Sequence, residues 1–300
     1  MKPKTYEIAI LGTGPAGLQA AIHASRSKTA VLVMGREHKS SLYKAHVENY
    51  CCLTGIAGEE LLTEGIRQAK SSGADFLHED VLKIEPDPDG FLIQIESGKS
   101  ISTRALILAM GVSRLKLGAA GEKEFLGKGV SYCVDCDANF YKGEKVAVIG
   151  NESAAVSGAL TMLFYASEVH LVAEKIQVSE KLDFQIRESA VHIHEDRKVR
   201  EIAGQNHVER VVLDNSDIVE VTGVFIELGA KGAVELATTL GVVIDSEQMK
   251  YIVTDKQQQT NIPGIFAAGD ICGPPWQMAK AVGEGCVAGL TAAKYVKKLR

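Results

Sequence analysis

The chain lacks the features that a polyanionic partner or a membrane would require. Its 300 residues hold 38 acidic side chains against 33 lysines and arginines, which gives a formal net charge of −5. Such a chain is not drawn to nucleic acid or to an anionic membrane surface by its overall charge. No apolar run approaches the roughly 18 residues of a membrane span, and no signal peptide precedes the first strand-like segment. We therefore expect no nucleic acid, no membrane and a cytoplasmic location.

Cysteine is scarce, and six residues in a chain of this length do not form a disulfide framework. Cys133 and Cys136 are separated by two residues, a spacing at which a disulfide can close and reopen. Asp137, beside the second cysteine, can carry the proton that thiol exchange must move. The alternatives are two unrelated buried thiols or a zinc site. Zinc needs a second spaced pair, and we predict no metal because none occurs among the other cysteines, Cys51, Cys52, Cys272 and Cys286.

Glycine, in contrast, is abundant, with 29 residues concentrated in turns that follow strand-like segments. A buried parallel strand is predicted over 6–11 and a helix over 18–26, joined by the turn Gly12-Thr13-Gly14-Pro15-Ala16-Gly17. Gly12 permits the tight turn, Gly14 lets a pyrophosphate approach, and Gly17 lets the helix pack on the strand. A second strand over 30–34 leads to Glu37, a candidate for binding a ribose hydroxyl. The pattern predicts a dinucleotide site.

A second strand, turn and helix are predicted at 145–150 and 154–167, but this turn is degraded. Glu152 stands where the second glycine belongs. At a separation of about 4 Å and an effective dielectric constant of about 20, its repulsion of a phosphate is roughly 4 kcal/mol. Such a repulsion weakens binding about a thousandfold. The chain therefore has two nucleotide-type folds, of which only the first suits a dinucleotide.

The rest of the chain also alternates strands and helices. Further strands are predicted at 75–85, 90–97, 105–111, 168–172, 211–213, 223–228 and 262–270, and helices at 58–72 and from 276 onward. His192 and His194 fall on one face of another strand, for which we expect an exposed strand rather than a metal site. For the adjacent pair Cys51 and Cys52 we expect buried free thiols.

The chain resembles the low-molecular-weight thioredoxin reductases over nearly its full length. The resemblance is carried, in the family's order, by the glycine turn at 12–17, Val47-Glu48-Asn49-Tyr50, Ala109-Met110-Gly111, the segment 129–137 and the segment 264–270. It implies an α/β fold with two Rossmann-like nucleotide-binding domains and a homodimer. A three-layer ββα FAD domain is expected from about 1–114 and 244–300. A smaller inserted module, similar to an NADPH domain and carrying the CxxC, is expected from 115–243.

The resemblance also implies roles for individual residues. Cys133 and Cys136 are expected to form the redox-active disulfide, with Cys136 near the flavin and Asp137 as the acid–base residue. The residues expected to bind FAD are Gly12, Thr13, Gly14, Pro15, Ala16, Gly17, Arg36, Glu37, Leu42, Asn49, Val81, Ala109, Met110, Gly111, Gly269, Asp270, Trp276, Gln277 and Met278.

Three departures from the family pattern concern its nicotinamide site. Glu152 interrupts the second glycine turn, and Ala173-Glu174-Lys175 replaces the His-Arg-Arg segment that binds the 2′-phosphate of NADPH. Trp276-Gln277 replaces an Arg-Gln pair. The chain thus resembles the branch that works without pyridine nucleotides, which includes ferredoxin-dependent flavin thioredoxin reductases and diflavin-linked disulfide oxidoreductases. The indole of Trp276 can stack on the bound FAD or on a second flavin; the alternative is that it fills an interface.

Three functions follow from this sequence. The first is a flavin disulfide oxidoreductase that passes electrons to Cys133–Cys136 and on to a protein disulfide such as that of thioredoxin, with a ferredoxin-like donor or a second flavin in place of NADPH. The second is an NADPH-dependent thioredoxin reductase with an unusual pocket. The third is a non-enzymatic redox sensor that binds FAD.

Overall fold

The computed structural model describes residues 4–53, 55–112, 116–229, 232–246 and 250–300. Their strands are β1 (Lys4–Leu11), β2 (Val31–Met34), β3 (His46–Val47), β4 (Ile56–Ala57), β5 (Asp75–Leu77), β6 (Val81–Asp87), β7 (Gly90–Ile95), β8 (Ser100–Leu108), β9 (Val130–Ser131), β10 (Lys145–Ile149), β11 (Glu168–Ala173), β12 (His192–Glu195), β13 (Val199–Gly204), β14 (Val208–Leu213), β15 (Ile218–Glu220), β16 (Gly223–Ile226) and β17 (Ile265–Ala267). Their helices are α1 (Pro15–Arg26), α2 (Gly58–Ser71), α3 (Val134–Asp137), α4 (Ser153–Met162), α5 (Glu180–Arg187), α6 (Ala233–Thr239) and α7 (Met278–Lys298).

The chain divides into two compact units. Unit 1 comprises residues 1–95, 99–113 and 232–300, and unit 2 comprises 96–98 and 114–231. Both contain parallel sheets. Strands β2 and β16 are wholly buried, β10 is buried apart from its first residue, and all three are rich in apolar residues, as strands covered on both faces require. The predicted α/β fold with Rossmann-like units is confirmed.

The sheet of unit 1 has the strand order β5-β2-β1-β8-β7-β6, and β17 also pairs with β8. Strands β5, β2, β1, β8 and β17 run parallel, whereas β6 and β7 form an antiparallel hairpin that continues onto β8. Leu11 at the end of β1 lies opposite Met34 and Leu108, and Leu108 lies opposite Ala267. The carboxyl ends of four strands therefore meet at one edge of the sheet.

Helices α1 and α7 approach each other closely in unit 1 because glycines of α7 face the backbone of α1. A Cβ atom on Gly285 would collide with the carbonyl oxygen of Ala16, and one on Gly289 would collide with that of Ala20. The side chains around this contact are mostly alanine, so the helix backbones can pack nearly against each other. This contact fixes the position of the N-terminus of α1.

The main sheet of unit 2 is parallel throughout, with the order β12-β11-β10-β16-β9, and β10, α4 and β11 form a crossover unit. A separate antiparallel sheet contains β13, β14 and β15. No helix among the described residues has the length and apolar character that crossing a membrane demands.

Two details differ from the sequence-based expectations. Residues 232–243 were assigned to the inserted module, but Leu236 and Leu240, in and just after α6, pack in a core of unit 1. The single strand predicted over 75–85 is two strands. Strand β5 pairs in parallel with β2, and β6 turns back to pair with β7, with the buried carboxylate of Asp80 between them.

Candidate active site

The aligned strand ends of unit 1 bring together motifs that are far apart in sequence. The glycine turn follows β1, Ala109-Met110-Gly111 follows β8, and Gly269-Asp270 follows β17. Backbone hydrogen bonds join the ends: the amide of Ala109 donates to Leu11 at 2.8 Å, and that of Ala268 donates to Leu108 at 3.0 Å. In open α/β sheets this edge is where ligands bind.

The three glycines of the first turn meet the requirements of a dinucleotide site. Gly12 has a φ of +120°, and a Cβ there would collide with the carbonyl of Ala109. A Cβ on Gly17 would collide with the carbonyl of Gly12. A Cβ on Gly14 would meet only the Ser40 hydroxyl, at 3.3 Å, so the backbone at Gly14 is open to a ligand. Pro15 begins α1, whose first-turn amides are suited to a phosphate.

The residues predicted near the ribose lie after β2. Arg36 pairs with Asp80 at 2.8 Å, and Lys39 pairs with the same carboxylate at 3.1 Å. The side chain of Asp80 is only 4% exposed, so these two cations neutralise a buried charge. Glu37 begins the 3-10 turn Glu37–Lys39, and its carboxylate lies 3.4 Å from His78. Val81 follows Asp80 and is buried at the start of β6.

A side-chain hydrogen bond joins two more predicted positions that are distant in sequence. The amide of Asn49 donates to the side-chain oxygen of Gln277 at 2.9 Å. Gln277 caps α7, which begins at Met278. Leu42 belongs to the same loop region as Asn49 and is half-buried, and Trp276 is 58% exposed.

Lys280 and Glu284 hold the loop that contains Asp270, and the sequence analysis missed both. The Lys280 ammonium donates to the carbonyls of Gly269 and Gly273, each at 2.7 Å. The Glu284 carboxylate accepts from the amide of Gly269 at 2.8 Å and pairs with Lys280 at 3.0 Å. Their spacing of four residues on α7 predicts an ion pair between them, but it does not predict that the pair faces the loop.

Burial raises the pKa of two groups in this loop. Burial raises the pKa of Asp270, the Lys280 ammonium opposes that rise, and the Glu284 carboxylate adds to it. Burial, with a smaller contribution from Glu284, raises the pKa of the Cys272 thiol to about 12. Cys272 is therefore a protonated, unreactive thiol at neutral pH.

In unit 2, Cys133 and Cys136 form a disulfide with a Cα–Cα distance of 5.3 Å. Cys136 is exposed and Cys133 is partly exposed. The hydroxyl of Ser131 donates to the Asp137 carboxylate at 2.6 Å and accepts from the amide of Cys133 at 3.1 Å. Ser131 thus connects the candidate acid–base group to the first cysteine.

A hydrogen bond to Glu227 anchors the first residue of the short helix α3, which contains Cys136. The buried Glu227 carboxylate accepts from the amide of Val134 at 2.8 Å. Glu227 directly follows β16, but the sequence analysis placed it inside a strand and gave it no role. Burial, and secondarily the charge of Asp137, raises the pKa of Tyr141.

The second glycine turn, after β10, keeps the tight bend of a nucleotide-binding turn, but it lacks the second glycine that lets a pyrophosphate approach. Gly150 has a φ of +152°, and a Cβ there would collide with the carbonyl of Glu227. Glu152 occupies the position before α4 that corresponds to Gly14 before α1. The side chain of Asn151 accepts from the amide of Glu174 at 2.8 Å, and its carbonyl accepts from the amide of Gln177 at 2.7 Å. The segment after β11 is therefore bound to the turn itself and contributes a further carboxylate.

One sequence-based expectation about side-chain clusters needs correction. Cys51 and Cys52 are exposed rather than buried, because they occupy a turn in the loop that joins β3 to β4. His192 and His194 lie beside His170 of the neighbouring strand, which is largely buried and hydrogen-bonds His194 at 3.0 Å. The described ranges contain no group of three or more histidine, cysteine or acidic side chains placed to bind a metal ion.

Comparison with known proteins agrees with this architecture. The pyridine nucleotide-disulphide oxidoreductase family matches residues 6–285. A thioredoxin reductase from Listeria innocua is 35% identical over 309 residues, covering 99% of this chain and 96% of the relative. The atypical thioredoxin reductase of Desulfovibrio vulgaris Hildenborough has a TM-score of 0.85 at 34% identity, with 98% of each chain covered.

A ferredoxin-flavin thioredoxin reductase from Clostridium acetobutylicum has a TM-score of 0.70 at 33% identity, covering 98% of this chain and 99% of the other. Both sequence and structure therefore agree with the thioredoxin reductases over almost the whole length. The chain belongs to the pyridine nucleotide-disulphide oxidoreductase family, as a flavin-dependent disulfide oxidoreductase of the thioredoxin reductase type.

Proposed function

We propose that the chain is an FAD-dependent reductase of a protein disulfide such as that of thioredoxin, and that it works without NADPH. The observation that carries the proposal is the contrast between its two glycine turns. The turn at Gly14 is open to a pyrophosphate, whereas the corresponding position of unit 2 holds Glu152. The chain keeps the disulfide and its adjacent acid in unit 2.

The residues of unit 1 fit FAD. Gly12, Gly14 and Gly17 provide the backbone cradle, and Gly269 and Asp270 provide the loop that the Lys280–Glu284 pair holds. When bound, FAD supplies the two electrons that reduce the disulfide. The intact cradle supports tight binding of the cofactor, and the purified protein is then yellow.

The residues of unit 2 carry the exchange chemistry. One thiolate of the reduced Cys133–Cys136 pair attacks a sulfur of the substrate disulfide and displaces the other as a thiolate. The second cysteine then attacks the mixed disulfide, which restores Cys133–Cys136 and leaves the substrate as a dithiol. Asp137 transfers the protons, and the hydroxyl of Ser131 holds its carboxylate in place.

Independence from NADPH is supported by charge. Glu152 adds a carboxylate where a pyrophosphate would need cations. Glu174, whose carboxylate pairs with Lys198 at 3.0 Å, stands where an arginine would bind a 2′-phosphate. The similar Clostridium acetobutylicum protein is a ferredoxin-flavin thioredoxin reductase, which supports a ferredoxin-like donor. One specific observation favours the alternative of an NADPH-dependent enzyme, since Gly150 keeps the tight bend of a nucleotide turn.

The exposed indole of Trp276 is part of the same proposal. Trp276 precedes Gln277, whose side chain hydrogen-bonds Asn49. The family resemblance implies that Asn49 and Gln277 both bind FAD. We propose that the indole stacks on a flavin ring, either the bound FAD or a second flavin that relays electrons. One FAD per chain favours direct docking of a ferredoxin-like donor, and two favour the relay. We also propose that the protein is a cytoplasmic homodimer.

The test is thioredoxin reduction by the chemically reduced flavoprotein. The variants C133S and C136S are expected to keep FAD and lose this activity, whereas C272S, which changes the buried thiol with a pKa of about 12, keeps it. If both single variants at the CxxC still reduce thioredoxin, the exchange mechanism is wrong. If the wild-type protein takes up no FAD on reconstitution, the assignment of unit 1 is wrong.

A further inference from the structure

Cys51 and Cys52 form a second thiol pair outside the redox disulfide. Both side chains are exposed, and their sulfur atoms lie 3.6 Å apart. They occupy the middle of a β-turn in which the amide of Leu53 donates to the carbonyl of Tyr50 at 3.0 Å. Cys52 has a φ of +70°, as position i+2 of a type II turn requires. The turn places the two cysteines next to each other in its middle, where both side chains are exposed.

The backbone spacing disfavours a direct bond between these two sulfurs. Adjacent Cα atoms across a trans peptide are about 3.8 Å apart, whereas disulfides usually span about 4.4–6.8 Å. The Cys133–Cys136 pair, at 5.3 Å, lies inside that range. A vicinal disulfide would be strained and readily reduced. The geometry therefore favours an atom that bridges the sulfurs over a bond between them.

The sulfur separation suits a bent bridge of two bonds between the two side chains. Two bonds of about 2.3 Å, the length of a zinc–thiolate bond, span 3.6 Å when they meet at roughly 100°. Linear two-coordinate ions need a sulfur separation of about 4.6 Å at that bond length. Zinc needs four ligands, and the part of the chain that the structure describes offers no metal-binding cluster. Trivalent arsenic is pyramidal and binds two thiolates at an angle near this value.

We propose that Cys51 and Cys52 form a chelating site for trivalent arsenicals, separate from the redox disulfide. With an organoarsenic oxide, two S–H bonds and the As–O bonds break, two As–S bonds form, and one water leaves. Arsenic stays trivalent, so the reaction needs no oxidant or reductant. The site exists in the oxidised protein, where Cys133 and Cys136 are bonded to each other and cannot react.

The test uses phenylarsine oxide and the purified oxidised flavoprotein. Intact-mass analysis is expected to show one phenylarsenic group per chain, stable to excess glutathione and removed by 2,3-dimercaptopropanol. Trypsin releases Cys51 and Cys52 together in the peptide 45–67. It releases Cys133 and Cys136 in 129–142, Cys272 in 257–280 and Cys286 in 281–294, so the site is read directly.

The variants C51S and C52S are each expected to lose the glutathione-resistant adduct, and C286S to keep it. Because a serine in this turn could perturb folding, the wild-type protein blocked beforehand with N-ethylmaleimide provides a second measurement, and it is expected to bind no arsenical. The proposal is overturned if the wild-type protein forms no glutathione-resistant adduct. It is equally overturned if the adduct lies on another peptide or persists in both C51S and C52S.

Discussion

The Asp137 carboxylate shows how one serine positions a group for proton transfer. Ser131 donates to it at 2.6 Å while accepting from the amide of Cys133 at 3.1 Å, so the acid and the first cysteine share one hydroxyl. Ser131 itself is buried at the end of β9 and has little freedom to move. The carboxylate is therefore held next to the disulfide in the oxidised state.

We expect D137N to slow thioredoxin reduction by roughly 10²–10⁴-fold, the usual contribution of general acid–base catalysis. FAD content and the Cys133–Cys136 disulfide should not change, because the amide keeps an oxygen that can accept from Ser131. The measurement is turnover with chemically reduced flavin. The matched control is D135N, an exposed acid in the same helix. Equal rates for D137N and the wild-type protein would contradict the role of Asp137.

Phe140 is an exposed aromatic side chain three residues beyond the acid. It is 80% exposed in the 3-10 turn Ala138–Tyr141, and aromatic residues are enriched among side chains that dominate binding energy. We expect F140A to raise the KM for thioredoxin roughly thirtyfold, equivalent to about 2 kcal/mol, with kcat little changed. F164A, at a side chain that is 87% exposed elsewhere in unit 2, is the control. A similar KM in both variants would exclude Phe140 from the docking surface.

At the scale of elements, the contact of α7 with α1 couples the last helix to the glycine turn. Gly285 lies against the carbonyl of Ala16, whereas a Cβ on Gly283 would meet no atom within 4 Å. We expect G285A to lower the free energy of unfolding by about 1–3 kcal/mol through overpacking and to weaken FAD retention, because α1 must shift. G283A should retain FAD and gain up to about 1 kcal/mol of helix stability. Equal FAD content in the two variants would refute this coupling.

The histidine cluster across β11 and β12 makes unit 2 sensitive to acid. Burial and then the charge of His194 lower the pKa of His170, while Glu168 opposes this shift; burial and then the charge of His192 lower the pKa of His194. A folded-state pKa below the unfolded value favours the neutral ring. The stabilisation is therefore complete above the unfolded pKa of about 6.5 and is lost as pH falls through the folded value.

We expect the melting temperature to fall between pH 7.5 and pH 5, and H170Q to lessen that fall. The control is H207Q, at an exposed histidine outside the cluster. Differential scanning calorimetry at several pH values provides the measurement. An H170Q variant that loses as much stability in acid as the wild-type protein would contradict the assignment.

The elements differ in how far the sequence could predict them. The turn from Gly12 to Gly17 was predictable, because glycines at this spacing between a strand and a helix are typical of a dinucleotide-binding turn. The roles of Glu227 and Lys280 were not predictable, because each side chain binds a backbone group in another loop. Glu227 accepts from the amide of Val134, and Lys280 donates to the carbonyl of Gly269. The exposure of Cys51 and Cys52 was predicted wrongly, since composition alone does not reveal a turn of this type.

At the scale of the whole molecule, the two units repeat one strand–turn–helix architecture but differ at the second glycine of the turn. Unit 1 keeps an open turn at Gly14, and unit 2 carries Glu152 at the matching position with Glu174 bound beside it. Glu152 and Glu174 could both be identified from the sequence, because the family has a glycine and an arginine at these positions and the role of each is known. The hydrogen bond between Asn151 and Glu174 could not, since it depends on how the segment after β11 folds back.

The central claim is that electrons enter without a nicotinamide, and the most direct measurement is anaerobic reduction of the purified flavoprotein followed by its visible absorbance. NADPH, NADH and reduced ferredoxin are added in turn to separate samples. We expect reduced ferredoxin to bleach the flavin and the two nicotinamides to leave it oxidised. The variant E152G/E174R/K175R is expected to regain some NADPH binding. Fast, stoichiometric bleaching of the wild-type flavin by NADPH would contradict the claim.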